Sequence, residues 1–445
     1  MRGTLRIAVW TPLPPSSSGI ADYVREALPE LQRHLDVVAV CEDPAGREAP
    51  GCPVTGPEQP PQVDLDVYHL GNSPPHAFVY RRALEVPGVV MLHEWNLHHL
   101  VLRETVERGD LGAYLRAMRR DHREAGSFVG RQVARALGGE LLPALYALNQ
   151  TLLERSLAVV GLTSFVADSA KLRLPGRPVL HLPHHFALPL DPVPSREQAR
   201  RQLGLPGEAR LVTAPGLATP TRRLDALLQV ILELRRRRPE LRLVVAGGSD
   251  PRAPVGEWAR SAGDPEAVLV TGRLSLQDFA RHLIAADVVA ALRFPSYGEI
   301  SGALIRALGA GRACLVTGAT PAADEFPEGL VVPIDPGAAE GAEIRAFLEA
   351  LLDDPDLAAR IGRLAAARIR ASHDLAGTAA RLAGFLAEVA PRRRQLGEEA
   401  ARGAAPEGSL LGLFGDELRW SSRELGLASL PAGVEPLLAE LASGR

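Results

Sequence analysis

Four stretches carry side chains whose types and spacing could do chemistry. The richest is FPSYGEISGALIRALGAG, residues 294–311. It sets one acid, Glu299, just ahead of Ser301 and Gly302. Leu304, Ile305 and Leu308 then recur at helical spacing up to the Gly309–Gly311 stop. An acid beside the free amides of a helix N-terminus can hold hydroxyls and a phosphate at one place. The second stretch is APGLATPTRRLDALL, 214–228, where a strand ends at Gly216 and Arg222 and Arg223 open a helix. Two guanidiniums at such a junction suit a phosphate; a solvated basic pair is the plainer alternative. The third, PLPPSSSGIADYV, puts Gly19 at a helix start, where backbone N–H groups can approach an anion. A tight turn would explain that glycine equally well. The fourth, VMLHEWNLHHL, delivers His93 and Glu94 at the carboxyl end of a strand, with His98 and His99 following. The spacing departs from the H-E-x-x-H helix of a zinc site, so no metal is expected. His184 and His185 end another strand and read as structural or cleft-lining.

These residues need a scaffold, and the hydrophobic pattern supplies one. Apolar runs at LRIAVW, VVAVCE, DVYHLGN, GVVMLHE, AVVGLTS and VLHLPHH alternate with amphipathic or loop segments. A Pro-rich break, ALPLDPVPSREQAR, precedes a second alternating set: RLVTAPG, RLVVAGG, VLVTGRL, VVAALRFP, ACLVTG and GLVVPI. Strands alternating with helices predict two parallel-sheet, Rossmann-like halves with ligands at the strands' carboxyl ends. Residues 104–156 read as helical and polar-faced. Within them a basic segment, 113–137, is a candidate for contact with anionic lipid, against the plainer reading of a solvated helix face.

The 445 residues carry a formal net charge of -3, which argues against a general nucleic-acid binder. Lys171 is the only lysine, so arginine at a position where relatives use lysine carries little meaning. Three cysteines without metal-ligand spacing fit a reduced, cytoplasmic setting. The N-terminus lacks the pattern of a signal peptide, and no stretch approaches the roughly 18 apolar residues of a membrane span.

Taken in order, the four stretches resemble the retaining glycosyltransferases of family 4, over roughly residues 5–390. PLPPSSSGIADY is similar to that family's N-terminal glycine loop, and GVVMLHEWNLHHL to the segment carrying a donor-contacting histidine. GLATPTRRLD resembles the diphosphate loop G-R-L-x-P-x-K-G-x-D, and the stretch ending in FPSYGEISGALIRALGAG the region of the E-x7-E pattern. The resemblance implies a GT-B fold: two Rossmann-like domains facing across a cleft, with a C-terminal helical tail. It places an acceptor-side domain at 1–188 and a donor domain at 189–375. A helix over 376–392 is expected to cross back to the first domain, before a helical or partly ordered extension at 393–445.

The implied reaction moves a sugar from a nucleotide diphospho-sugar to a glycan, lipid-linked or small-molecule acceptor, with retention and without metal or cofactor. His93 and Glu299 would then be catalytic. Gly19, Gly216, Arg222, Glu299, Ser301, Gly302 and Arg306 would bind the donor. The chain would be bacterial and cytoplasmic, or peripheral at the inner face of the membrane. Two departures stand out. Leu217 occupies the place of the family's arginine, and Arg306 or Ala307 that of its second glutamate. They motivate two alternatives: a catalytically silent GT-B binding protein, and an NDP-sugar epimerase.

Overall fold

The computed structural model describes residues 4–403, except 17, 138 and 140, together with Val434. Most of the expected 393–445 extension therefore lies outside the described residues. The first sheet contains β1 (Arg6–Trp10), β2 (Asp36–Val40), β3 (Val54–Thr55), β4 (Leu65–Leu70), β5 (Val89–Leu92), β6 (Ala158–Gly161) and β7 (Val179–His181). Its order is β3-β2-β1-β4-β5-β6-β7. The second contains β8 (Arg210–Pro215), β9 (Leu241–Ala246), β10 (Val268–Val270), β11 (Val288–Ala291), β12 (Ala313–Thr317) and β13 (Val332–Ile334), in the order β10-β9-β8-β11-β12-β13.

Every pairing is parallel, with β1 in register against both β2 (Ile7↔Val37) and β4 (Ile7↔Leu65). Parallel strands covered on both faces must be apolar throughout, which is why the runs LRIAVW and VVMLHE could be read as strands. Both sheets reverse direction beside their first strand, between β1 and β4 and between β8 and β11. At such a reversal the following loops leave to opposite sides and open a crevice at the carboxyl ends.

Seven helices matter below: α1 (Gly19–Leu31), α2 (Leu111–Ala134), α3 (Leu224–Arg235), α4 (Gly302–Gly309), α5 (Pro355–Ser372), α6 (Leu375–Val389) and α7 (Arg393–Gly403). One apolar core runs through both halves, joining Ile7, Tyr68 and Leu92 of the first sheet to Leu304, Ile305 and Val316 of the second half. α6 packs on α1, and Arg381 Nη2 donates to the His181 carbonyl at 2.8 Å. Arg393 of α7 donates to the Asp64 carbonyl at 2.9 Å. The chain thus passes between the halves twice, and the crossings are tied together. Phe186 bridges Asp374, and its N–H donates to the His373 carbonyl at 2.7 Å.

Two local expectations change. β3 has only two residues and no apolar run to reveal it. The segment 104–156 is not continuous helix: α2 breaks at Arg123 (φ 57°, ψ -137°), and short helices follow at Leu141–Leu145 and Gln150–Arg155. Part of its basic charge is matched internally, by Arg120 with Glu154 and Arg119 with Glu124. Among the described residues no helix is long and apolar enough to cross a membrane.

Candidate active site

The loops after β8 and β11 meet at the reversal point of the second sheet. Gly216 follows β8 with φ 92°, a left-handed backbone that glycine adopts without strain. A Cβ there would lie 3.2 Å from an Arg222 guanidinium nitrogen, so Arg222 folds back over this turn. No carboxylate among the described residues forms an ion pair with Arg222. Burial first, and then the charge of Arg293, pull its pKa down to about 9, with Glu299 opposing. It stays protonated at neutral pH, as an unmatched positive charge in the cleft. Such a charge is costly alone and favourable beside an anion.

Arg293, after β11, is a site residue that the sequence reading passed over. Its Nε lies 2.9 Å from Glu299 Oε1, and its own N–H donates to Thr317 Oγ1 at 2.8 Å. Glu299 Oε2 accepts from the Tyr297 N–H at 2.7 Å and lies 3.3 Å from Ser296 Oγ. Leu217, where the resembled family carries a cation, is a half-exposed side chain, and Arg293 lies just beyond the neighbouring strand β11. Arg223, in contrast, makes a bidentate pair with Glu340 at 2.9 and 3.1 Å and is structural. Neither arginine opens a helix as expected: Pro220–Arg222 is a 3-10 turn, Arg223 is left-handed (φ 54°), and α3 starts at Leu224.

Arg306 is the main correction to the expected donor set. It is buried, and its Nη2 reaches both Glu26 carboxylate oxygens of α1, at 2.7 and 2.9 Å. His185 Nε2 adds a contact to Glu26 at 3.2 Å. In this arrangement the Nη2 group is spent on a carboxylate of the other half. Ser301 caps α4, and Gly302 starts it beneath His184: a Cβ on Gly302 would stand 2.9 Å from His184 Nε2. Glycine is needed there because the two halves approach so closely.

The first sheet contributes the opposite wall. His93 follows β5, buried, with its Nε2 3.0 Å from His69 Nδ1. Tyr23 of α1 lies edge-on to His93 at 4.9 Å and stacks on His185 at 4.2 Å. Burial lowers the pKa of His69, His93, His184 and His185, so these rings are neutral. His98 is spent on Tyr146 O and Tyr114 Oη (2.6 and 2.8 Å), and His99 reaches Tyr297 Oη at 3.2 Å. Gly19 is exposed at the start of α1, where Ser18 Oγ accepts from the Ile20 N–H. A Cβ on Gly19 would meet nothing within 4 Å, so packing does not demand glycine there.

The walls are zipped where residues 94–96 meet 297–299. The Asn96 N–H donates to the Tyr297 carbonyl at 2.9 Å. Gly298 (φ 85°) lies so close that a Cβ would stand 2.6 Å from that of Trp95. This contact brings Glu94 of one half near Glu299 of the other. Burial, and then the charge of Glu299, raise the Glu94 pKa to about 7, while the Asn72 N–H and Arg293 pull it down. The sequence marks Glu94 only as a neighbour of His93, because its partner lies about two hundred residues away.

A folded-state pKa above the usual 4.5 makes the Glu94 contribution largest at low pH and lost as pH rises towards about 7. Glu94→Gln removes this dependence. Relative to the unaltered chain, the variant should gain roughly 2–3 kcal/mol of stability between pH 5 and pH 8. Urea unfolding at both pH values measures it; an equal difference at both would show that Glu94 does not titrate there.

The geometry brings Gly216, Arg222, Glu299 and the start of α4 to one crevice wall and His93 to the other, and it withdraws Arg306. Residues 209–353, about a third of the chain, match the family described as Glycosyl transferases group 1. A D-inositol 3-phosphate glycosyltransferase of Kineococcus radiotolerans is 30% identical over 198 residues, covering 40% of this chain and 44% of that protein. The chain therefore matches less than half the length of this relative. Among solved structures, Anabaena HepE, crystallised with UDP and glucose, superposes with a TM-score of 0.55 at 14% identity, over 86% of this chain and 100% of its own. Sucrose-phosphate synthase of Thermosynechococcus elongatus gives 0.57 at 17%, over 86% and 99%. Both are likenesses of fold, and the fold is GT-B.

Proposed function

We propose that this chain is a retaining glycosyltransferase of the family-4 kind, moving a sugar from a nucleotide diphospho-sugar to an acceptor without a metal. The observation that carries the reading is Arg222, a cleft guanidinium without an ion-paired carboxylate among the described residues, beside a second guanidinium at Arg293. As the glycosidic bond breaks, the diphosphate leaving group gains negative charge. Fixed cations in a crevice stabilise that charge without reorganising. Glu299, oriented by the Tyr297 N–H, accepts hydrogen bonds from sugar hydroxyls, and the neutral His93 faces the donor from the other half. The group 1 match over the second half and the curated sugar-transferring relative support the same reaction class.

The acceptor, whether glycan, lipid-linked or small molecule, enters from the first half. A uridine nucleotide is the first donor to test, since the Anabaena neighbour was solved with UDP. Thermal unfolding with UDP, GDP, ADP and dTDP and their sugars provides the test. A nucleotide at about 100 times its dissociation constant should stabilise the chain by roughly 2.7 kcal/mol. No shift with any of them would sink the proposal. The withdrawal of Arg306 leaves a silent binding protein as the second reading. It predicts a shift with nucleotide but no turnover with any acceptor.

A further inference from the structure

A second charged cavity lies at the far end of α4, away from the crevice. It measures about 560 Å³ and is bordered by Ala310–Ala313, by the start of β8, and by α5. Five arginines line it: Arg196, Arg210, Arg312, Arg363 and Arg370. Against them stand two acids, Glu197 and Asp287. Asp287 is already matched, by Arg196 Nη1 and by the buried Arg200, each at 2.7 Å. Glu197 is held by Ser195 Oγ at 3.0 Å and by Arg196.

Arg312 is partly buried and donates only to backbone, to the carbonyls of Ala310 (3.3 Å) and Ala286 (3.2 Å). Burial, and then the charge of Arg196, lower its pKa. Among the described residues no carboxylate forms an ion pair with Arg312, Arg363 or Arg370. The last two stand exposed two turns apart on α5. The arginine-rich composition explains why the cations are arginines. It does not explain why unmatched ones converge on a cavity in a chain whose net charge is -3. The remaining wall is apolar, mainly Ala358, Ala359 and Ala367 of α5, with Leu351 and Leu352 nearly buried behind.

We infer that this cavity binds a small phosphorylated molecule. Its phosphate groups would lie between Arg312, Arg363 and Arg370, and its carbon body against the alanine face of α5. Guanidinium forks are matched to phosphate oxygens, and charge-assisted bonds of this kind are the strong ones. The site is separate from the sugar-nucleotide crevice, so it stands or falls independently of the proposed reaction.

Inorganic pyrophosphate is the probe, titrated calorimetrically into the full chain. Arg363→Gln/Arg370→Gln keeps two good helix formers on an exposed face, so folding should survive, which a melting curve checks. In this variant one class of pyrophosphate site should weaken by at least about tenfold, the scale of one lost charge-assisted bond. Arg222→Ala should leave that class intact. Unchanged stoichiometry and affinity in the glutamine variant would overturn the assignment. So would a loss reproduced in the unaltered chain by an equal ionic strength of sodium chloride.

Discussion

Arg222→Ala should lower kcat/KM by about 10²–10³, mostly through kcat, while leaving the chain as stable as before or more so. The size follows from removing one fixed donor from a group that gains charge in the transition state. The second half follows from the environment of the side chain. Among the described residues Arg222 has no ion-paired carboxylate to lose, and burial and Arg293 oppose its charge more than Glu299 favours it. Deleting it therefore removes a cost of folding. A residue whose loss harms activity and spares stability is one held for function. Arg222→Lys keeps a charge but not the fork, and should recover only part of the rate. Initial rates with the donor identified by thermal shift, together with a melting curve, give both readouts. Unchanged turnover in the alanine variant would remove Arg222 from the mechanism.

The second large effect is on stability. Glu26→Ala strips the carboxylate from a buried guanidinium, since the Glu26 and Arg306 side chains are only 11% and 9% exposed. Breaking one side of such a pair costs about 3–5 kcal/mol, because the remaining charge stays buried without compensation. Replacing both by leucine should recover most of the loss, and the double-mutant cycle measures the coupling. The direction of one further change is informative. Arg306→Glu would put an acid near the place where the resembled family has one, yet it would set two carboxylates face to face across the halves. It should destabilise at least as much as Glu26→Ala. Chemical unfolding of the unaltered chain, Glu26→Leu, Arg306→Leu and the double leucine variant closes the cycle, with Glu26→Ala and Arg306→Glu measured beside it; additive single effects would mean that the pair is not coupled.

The strands were legible because a parallel strand buried on both faces leaves a local record, a short run of Val, Leu and Ile. VVAALR and ACLVTG needed nothing beyond themselves to be recognised. The placement of the candidate residues was legible where it depends on chain direction: Gly216, Arg222, Glu299 and His93 all follow strands whose carboxyl ends face the crevice. What stayed hidden depends on partners far away in sequence. Arg306 could not be assigned, because Glu26 is 280 residues distant. Arg223 and Arg222 look equivalent in TRRLD, and only Glu340 distinguishes them. Glu94 was visible, but the carboxylate that raises its pKa lies on the other half. Arg293 had no motif to mark it; a cation two residues past a buried strand was the signal available.

The paired crossings of the chain also constrain motion. Phe186 and Asp374 lie side by side, and His373 Nδ1 is 2.6 Å from the His184 carbonyl. Two connections fastened at one place act as a pivot. Any swing of the halves would turn about it, and sliding apart would break the staple. His184 belongs both to this staple and to the contact beneath Gly302. The start of α4 thus sits on the axle, where a swing moves atoms least, and opening falls on contacts farther out, such as the zipper at Asn96 and Tyr297. A diphosphate held at that helix start would remain gripped while the rest of the crevice opens to exchange its cargo.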